Sequence, residues 1–232
     1  PTFCAQAVSA FVGPWVVPVA LTEGPAIVSS AGAMRIEIHP THPQPRKVRQ
    51  AVEILRRGGV ILYPTGTVYG LGCDIHQKKA VERIYQIRQL KKDHPLSFMC
   101  PDLSKIAHYA YVDDFAYRIM KRLVPGPYTF VLKATREVPK MLVRKQKTVG
   151  IRVPDDPVAL ALLEELGSPI VSASATYQGQ VLNDPDELFA RFKQADAFID
   201  SGWGGIEPST VIDLTGDEAE VIRQGAGPVD LL

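Results

Sequence analysis

The chain is short of cysteine: Cys4, Cys73 and Cys100 are its three, an odd number, and no two stand in CxxC spacing. That excludes a disulfide framework and a zinc ribbon, and it points to a reducing, cytoplasmic setting. No unbroken apolar run reaches the ~18–20 residues of a helical membrane span. Acids and bases nearly cancel, leaving +1, so an anion site would have to be local rather than a property of the whole surface. The nucleotide loops GxxxxGKS/T and GxGxxG are both missing. No Ser, His and Asp stand in an order that suggests a hydrolase. His39-Pro40-Thr41-His42 has HxxH spacing, but its proline forbids a regular helix and no Cys or acidic cluster is near, so no metal site is expected.

Lys and Arg are absent from residues 1–33, where Glu23 is the one charge. Pro14 and Pro18 interrupt the most apolar stretch there. A secretory signal needs a positive start and an unbroken apolar core, and a transit peptide needs Arg. Met34 is followed at once by a polar, basic segment, as an ordinary N-terminus is. Residues 1–33 are therefore expected to be a non-native or disordered extension. Residues 34–232 are long enough for one domain with a sizeable core.

What remains is an ordinary globular sequence, 46% hydrophobic and 22% charged, so disorder is not expected. Helical spacing runs from Lys47 to Arg57, stopped by Gly58-Gly59, and from Lys79 to Gln89. Further helices are expected from near Asp102, from Asp113 or Asp114 to Leu123, from Pro157 to Leu166 with Gly167 as cap, and after Asp184-Pro185. Strands are expected at Arg35–Ile38, Val60–Tyr63, Leu96–Met99, Tyr128–Lys133, Thr148–Val153, Pro169–Ser172, Ala197–Asp200, Thr210–Leu214 and Glu220–Arg223. Helices and strands mix without strict βαβ alternation, which predicts a mixed sheet with helices packed on it.

Three groups of residues suggest chemistry. Pro64-Thr65-Gly66-Thr67-Val68-Tyr69-Gly70-Leu71-Gly72 ends a buried strand with two hydroxyls, a phenol and three glycines. Glycine lets backbone N–H groups approach a ligand. The same residues also suit a plain turn between a strand and a helix, with Tyr69 merely packed. Arg152 and Arg223 end otherwise apolar strands, and Arg88 closes a helix ahead of Lys91 and Lys92. Burying an unpaired cation costs several kcal/mol, so Arg152 and Arg223 face either an anion or water. Ser172-Ala173-Ser174-Ala175-Thr176 and Ser209-Thr210 place small hydroxyls at strand ends, which suits phosphate or carboxylate binding and equally suits capping. Cys73 and Cys100 lack a His partner and read as buried thiols.

The segments Tyr63 to Gly72, Pro95-Leu96, Pro125-Gly126-Pro127-Tyr128-Thr129, Gly150-Ile151-Arg152-Val153-Pro154, Ser172 to Ala175, Pro208-Ser209-Thr210-Val211-Ile212-Asp213 and Arg223-Gln224-Gly225, in that order, resemble the YrdC family, best known for threonylcarbamoyl-AMP synthases. Each piece is weak alone. Together they cover nearly everything after about residue 46. The resemblance implies a single YrdC/RibB-like α/β domain of the α+β type, with a twisted mixed sheet and a concave, positively charged groove. It implies a reaction in which threonine, bicarbonate and ATP give threonylcarbamoyl-AMP and pyrophosphate, for modification of tRNA at adenosine 37. Thr65, Thr67 and Tyr69 would then meet threonine and bicarbonate. Arg88, Thr129, Arg152, Ser172, Ser174, Thr176, Ser209 and Arg223 would line the nucleotide and its phosphates, with Arg88 and Arg152 catalytic. Mg²⁺ would come with ATP, and no metal would be held by the protein alone. tRNA or double-stranded RNA are further implied partners, and no membrane is.

The motif text departs from the synthases at three places. Arg88-Gln89-Leu90 stands where they carry Lys-x-Arg, Ser174-Ala175-Thr176 where they carry Ser-x-Asn, and Gly66 where an acid is frequent. Ile87 to Leu90 and Ser97 to Asp102 are closer to the YciO branch. That implies an alternative: a nucleotide- or double-stranded-RNA-binding protein without efficient synthesis.

Overall fold

A computed structural model of the protein describes residues 33–91 and 93–230. The expected extension over 1–33 lies outside them save for Ala33, and so does Lys92 of the Lys91-Lys92 pair. In chain order the elements are β1 (Met34–Glu37), α1 (Pro45–Arg56), β2 (Ile61–Tyr63), β3 (Gly70–Asp74), α2 (Lys78–Ile87), β4 (Ser97–Met99), α3 (Leu103–Tyr109), β5 (Ala110–Tyr111), α4 (Asp114–Leu123), β6 (Tyr128–Ala134), β7 (Thr148–Arg152), α5 (Pro157–Leu166), β8 (Ile170–Ser174), β9 (Thr176–Tyr177), β10 (Gln180–Val181), α6 (Pro185–Arg191), β11 (Ala197–Asp200), β12 (Thr210–Asp213) and β13 (Glu220–Arg223). None of these helices is long and apolar enough to cross a membrane.

Local chemistry explains the helix ends. The carboxylates of Asp102, Asp113, Asp156 and Asp184 accept from the amides of Lys105, Ala116, Ala159 and Asp186 at 2.8–2.9 Å. Each satisfies a donor the helix itself leaves orphaned. Gly167 closes α5 at φ 78, a left-handed conformation that costs glycine nothing.

The mixed sheet runs β1-β11-β2-β3-β8-β4-β7-β6-β12-β13, with β5 beside β6; β9 and β10 form a separate hairpin. Pairing is parallel at β1/β11, β11/β2, β4/β7 and β6/β12 and antiparallel elsewhere. Side chains alternate between its faces. On one face Leu62, Leu71, Phe98, Phe130, Ile151, Val171, Phe198 and Ile212 form a continuous core with residues of α2, α3, α4 and α6. On the other, Ile61, Tyr63, Met99, Ile170, Ala197 and Ile199 pack under α1 and α5. That second core stops at Met99 and Ile170. Beyond it the same face turns small and polar: Ser172 pairs with Ser97, Ser97 with Gly150, and Met99 with Arg152. The stretch of sheet that α1 and α5 leave uncovered is where the candidate site lies.

Gly70 to Gly72 do not belong to a turn leading to a helix; they begin β3, a fully buried strand between β2 and β8. Glycine at 72 is required by packing, because a Cβ there would lie 2.5 Å from the Tyr63 ring. The strand expected to end at Ser172 runs on to Ser174 as β8.

Candidate functional site

The uncovered face is built around Arg152. It ends β7, an interior strand, and is 3% exposed. The reading in which it reaches water is therefore excluded. Its Nε donates to Gly126 O at 3.2 Å and its Nη1 to Thr67 Oγ1 at 2.7 Å, while Nη2 is buried with no partner. Burial pushes the guanidinium down to about 10, a partial loss of hydration that Tyr63, Asp156 and Asp155 do not offset. The group remains protonated at neutral pH.

Thr67 is fixed in turn. Thr65 Oγ1 donates to Val68 O at 2.6 Å, so its single proton is used, and at 3.1 Å it accepts from the Thr67 hydroxyl. Thr67 Oγ1 thus accepts from Arg152 and keeps one lone pair for a ligand donor. Both threonines are buried. Gly66 brings this turn against α5: its φ is 77 and a Cβ would lie 2.6 Å from Asp155 O. Tyr69 is 1% exposed, and loop 201–205 takes up its hydroxyl. It accepts from Ser201 N at 3.1 Å and donates to Gly202 O at 2.8 Å. Tyr69 therefore presents its ring and backbone, not a free hydroxyl, to the turn.

At the far side of the uncovered face, Thr129 Oγ1 meets Ser209 Oγ at 2.8 Å, both buried. Arg223 Nη2 donates to Ser209 O at 2.7 Å, and its Nε is buried without a partner. Pro208 to Thr210 and Arg223 to Gly225 are thus brought together from distant sequence. Gly225 N donates to Thr210 Oγ1 at 2.9 Å, and a Cβ on Gly225 would stand 2.1 Å from Pro208 O. At the opposite end Arg88 donates through Nη1 to Thr176 O and through Nη2 to Thr176 Oγ1, just beyond Ser174. Its Nε is also buried and unpaired, and burial pushes its guanidinium down to about 10.

Among the described residues, those three arginine nitrogens are all the buried side-chain N and O atoms that lack a partner. They sit on the three arginines picked out from sequence. Arg152 and Arg223 end strands of the large sheet, whereas Arg88 follows α2 and bonds to β9 of the hairpin. Buried polar groups are almost always satisfied, so these donors are candidates for an anion. Burial likewise lowers Arg223. Thr65, Thr67, Thr129, Arg152, Ser172 and Ser209 are all buried, whereas Ser174 is exposed and Thr176 half-buried.

Sequence reasoning missed the purpose of Leu90. It follows Gln89, which adopts φ 50, and Leu90 N donates to Tyr85 O at 2.9 Å while Gln89 N donates to Gln86 O at 3.1 Å. That is a Schellman ending of α2, and Leu90 makes its hydrophobic contact with the core. An apolar residue two places past a helix end was the readable signal. A hollow of about 770 Å³ beside α4, lined by Phe115, Ile119, Arg122, Asp217, Glu218 and Ala219, lies on the opposite face, where acids offset the cations. It is separate from the arginine site.

Comparison with known proteins identifies the family. A family model named for Sua5, YciO and YrdC and described as telomere recombination matches residues 53–225. Escherichia coli YciO is 51% identical over 196 residues, 83% of this chain and 95% of that protein; its crystal structure superposes with a TM-score of 0.83. A threonylcarbamoyl-AMP synthase of Pseudoalteromonas translucida is 34% identical over 174 residues, 72% of this chain and 92% of the synthase. The crystal structure of Pyrococcus abyssi Sua5 complexed with L-threonine matches with 30% identity and a TM-score of 0.80, covering 85% of this chain and 59% of Sua5. With its match over most of the length and its shared fold, the chain belongs to the Sua5/YciO/YrdC family.

Proposed function

We propose that the uncovered face of the sheet joins threonine, bicarbonate and ATP into threonylcarbamoyl-AMP, with release of pyrophosphate. The observation that carries this reading is the set of unpaired, buried N–H groups on Arg88, Arg152 and Arg223. Threonine amine and bicarbonate combine to a carbamate with loss of water. A carbamate oxygen then attacks the α-phosphorus, a new P–O bond forms, and the bond to pyrophosphate breaks. Both reactants are anions, so catalysis here is positioning and charge neutralisation. The lone pair left on Thr67 Oγ1 suits an amine N–H, which supports a reading with threonine at the Thr65–Thr67–Tyr69 end. Arg152 stands between that end and the phosphates, and Thr129, Ser172, Ser174, Ser209 and Arg223 line the nucleotide side. No group of three or more His, Cys, Asp or Glu converges among the described residues. Mg²⁺ would come with the triphosphate it accompanies. A tRNA would receive the threonylcarbamoyl group in a later step, in keeping with a cytoplasmic protein.

The test is product formation by purified protein, followed by mass spectrometry of the adenylate and release of pyrophosphate. ATP binding without any threonylcarbamoyl-AMP would overturn the reading. A second reading, nucleotide or double-stranded-RNA binding without efficient synthesis, is favoured by one observation: Thr176 takes both terminal nitrogens of Arg88. RNA affinity that falls steeply with salt, in a protein that makes no product, would support it.

A further inference from the structure

We propose that Arg35 and Asp200 are positioning residues for the threonine end of the site, acting through loop 201–205. The proposal rests on the reaction assigned above and extends it to residues that no segment of the family motif contains.

The connection is continuous. β1 is a four-residue edge strand paired only with β11. Arg35, in its middle, lies 5.6 Å from the Phe198 ring and reaches the end of β11. There its Nε and Nη2 donate to Asp200 Oδ2 at 2.8 and 2.6 Å, while Nη1 donates to Asp186 on α6 at 2.6 Å. Asp200 is 8% exposed, and its other oxygen accepts from Gly202 N at 2.9 Å. One carboxylate therefore ties the edge strand to the first bend of the loop. The loop then grips the site turn from behind. Ser201 N and Gly202 O engage the Tyr69 hydroxyl, and Gly205 N donates to Thr67 O at 2.8 Å. A Cβ on Gly204 would lie 2.7 Å from the Tyr69 ring, and one on Gly205 2.3 Å from Thr67 O. Contact that close leaves no room to slide. Thr67 finally accepts from Arg152.

Arg35 and Asp200 touch neither Thr67 nor Arg152 in the contacts described above. They determine where loop 201–205 sits, and the loop determines where Thr67 and Tyr69 sit. A small displacement of a positioning shell is enough to weaken binding of the group it holds. The effect should fall on threonine and spare ATP, because Thr129, Ser209 and Arg223 are held by other strands and Arg152 keeps its interior place in β7 and its bond to Gly126 O.

The experiment compares full-length wild type with Arg35→Gln, Asp200→Ala and Asp200→Asn, by hydrogen–deuterium exchange and by steady-state kinetics. In Arg35→Gln and Asp200→Ala, amides of residues 201–205 and 66–70 should exchange roughly tenfold faster, with those of 114–123 unchanged. Threonine KM should rise about tenfold, with ATP KM and kcat within about twofold of wild type. Asp200→Asn keeps an oxygen for Gly202 N and should fall between. A purely structural role would lower the active fraction and leave both KM values alone. Unchanged exchange in 201–205 and 66–70, or threonine and ATP KM rising together, would overturn the proposal. If Asp200→Ala does not fold, Arg35→Gln decides, since that side chain is 32% exposed and its loss leaves no cavity in the core. If wild type neither binds threonine nor makes product, the assigned reaction falls, while the exchange data still decide whether this coupling exists.

Discussion

Arg152 donates to the Thr67 hydroxyl at 2.7 Å across 85 residues of sequence, and the same guanidinium keeps one buried nitrogen unpaired. The bond joins β7 to the turn after β2, and the spare nitrogen is what a ligand anion can use. Stability and function therefore pull in opposite directions at this residue. Arg152→Met keeps much of the volume and removes a buried charge. Relief of its desolvation opposes the loss of its bonds to Gly126 O and Thr67 Oγ1, which cost about 1–3 kcal/mol when left unmade, so little net loss of stability is expected. Product formation, in contrast, should fall about 10²–10³-fold, the usual effect of losing a donor aimed at developing charge. Arg152→Lys keeps the charge without the fork and should lie between. Urea denaturation and adenylate-forming rates measured side by side check this, and a Met variant as active as wild type would remove Arg152 from the chemistry.

Binding of an anion should stabilise the fold. Arg88 and Arg152 are held down to about 10 by burial, so each is a cation short of solvation. Pyrophosphate at about 100 times its Kd would add ~2.7 kcal/mol. For a domain of this size that raises Tm by roughly 5–10 °C. Chloride at matched ionic strength should do less, and Arg152→Met should lose most of the shift. Thermal melts insensitive to pyrophosphate would count against a phosphate site here.

The helices were legible because their signals are local. Asp113 and Asp184 announce N-caps, and apolar residues in α1 recur at helical spacing. β3 was not legible, because Gly72 answers to Tyr63 and Gly70 to Ser172 across the sheet rather than to a turn. The family segments located the arginines but not their state. Whether Arg152 met water or an anion depended on β7 being interior, a fact of topology. Tyr69 looked like a ligand hydroxyl, yet its partners lie 132 and 133 residues away. Leu90 looked like a lost cation, and became a helix ending once Tyr85 O and the core were in place.

Cys73 and Cys100 should behave as structural thiols. Both are fully buried. Burial pushes Cys100 up to about 12 and Cys73 higher still, with Asp102 and Asp74 adding a smaller push in the same direction. Near neutral pH the Cys100 thiolate is then too scarce for direct attack on a disulfide reagent. Native-state labelling at both sites should be limited by unfolding and should become complete in denaturant. For the thiolate itself, each unit of pH below about 12 lowers the fraction tenfold, so the sign is toward faster reaction at higher pH. Peptide mass mapping distinguishes the sites. Rapid labelling of folded protein at either cysteine would show that the core opens there.

Arg88 and Thr176 offer the sharpest test of how much synthesis the site retains. The Thr176 carbonyl and hydroxyl hold both terminal nitrogens of Arg88, leaving only Nε for a ligand. Leu90, where the synthases carry a second cation, is committed to the end of α2. Leu90→Arg together with Thr176→Asn restores the synthase residue types at both positions. It should raise kcat/KM for ATP about tenfold, a gain of ~1.4 kcal/mol in transition-state stabilisation. It should also cost about 1 kcal/mol of stability, because half-buried Leu90 loses its helix-end contact. Leu90→Arg alone should show the stability loss with a smaller gain, since Thr176 still occupies Arg88. Product rates and Tm on the two single variants and the double variant separate these terms. A double variant with the expected loss of stability and no gain in rate would mean that the limit on synthesis lies at other positions of the groove.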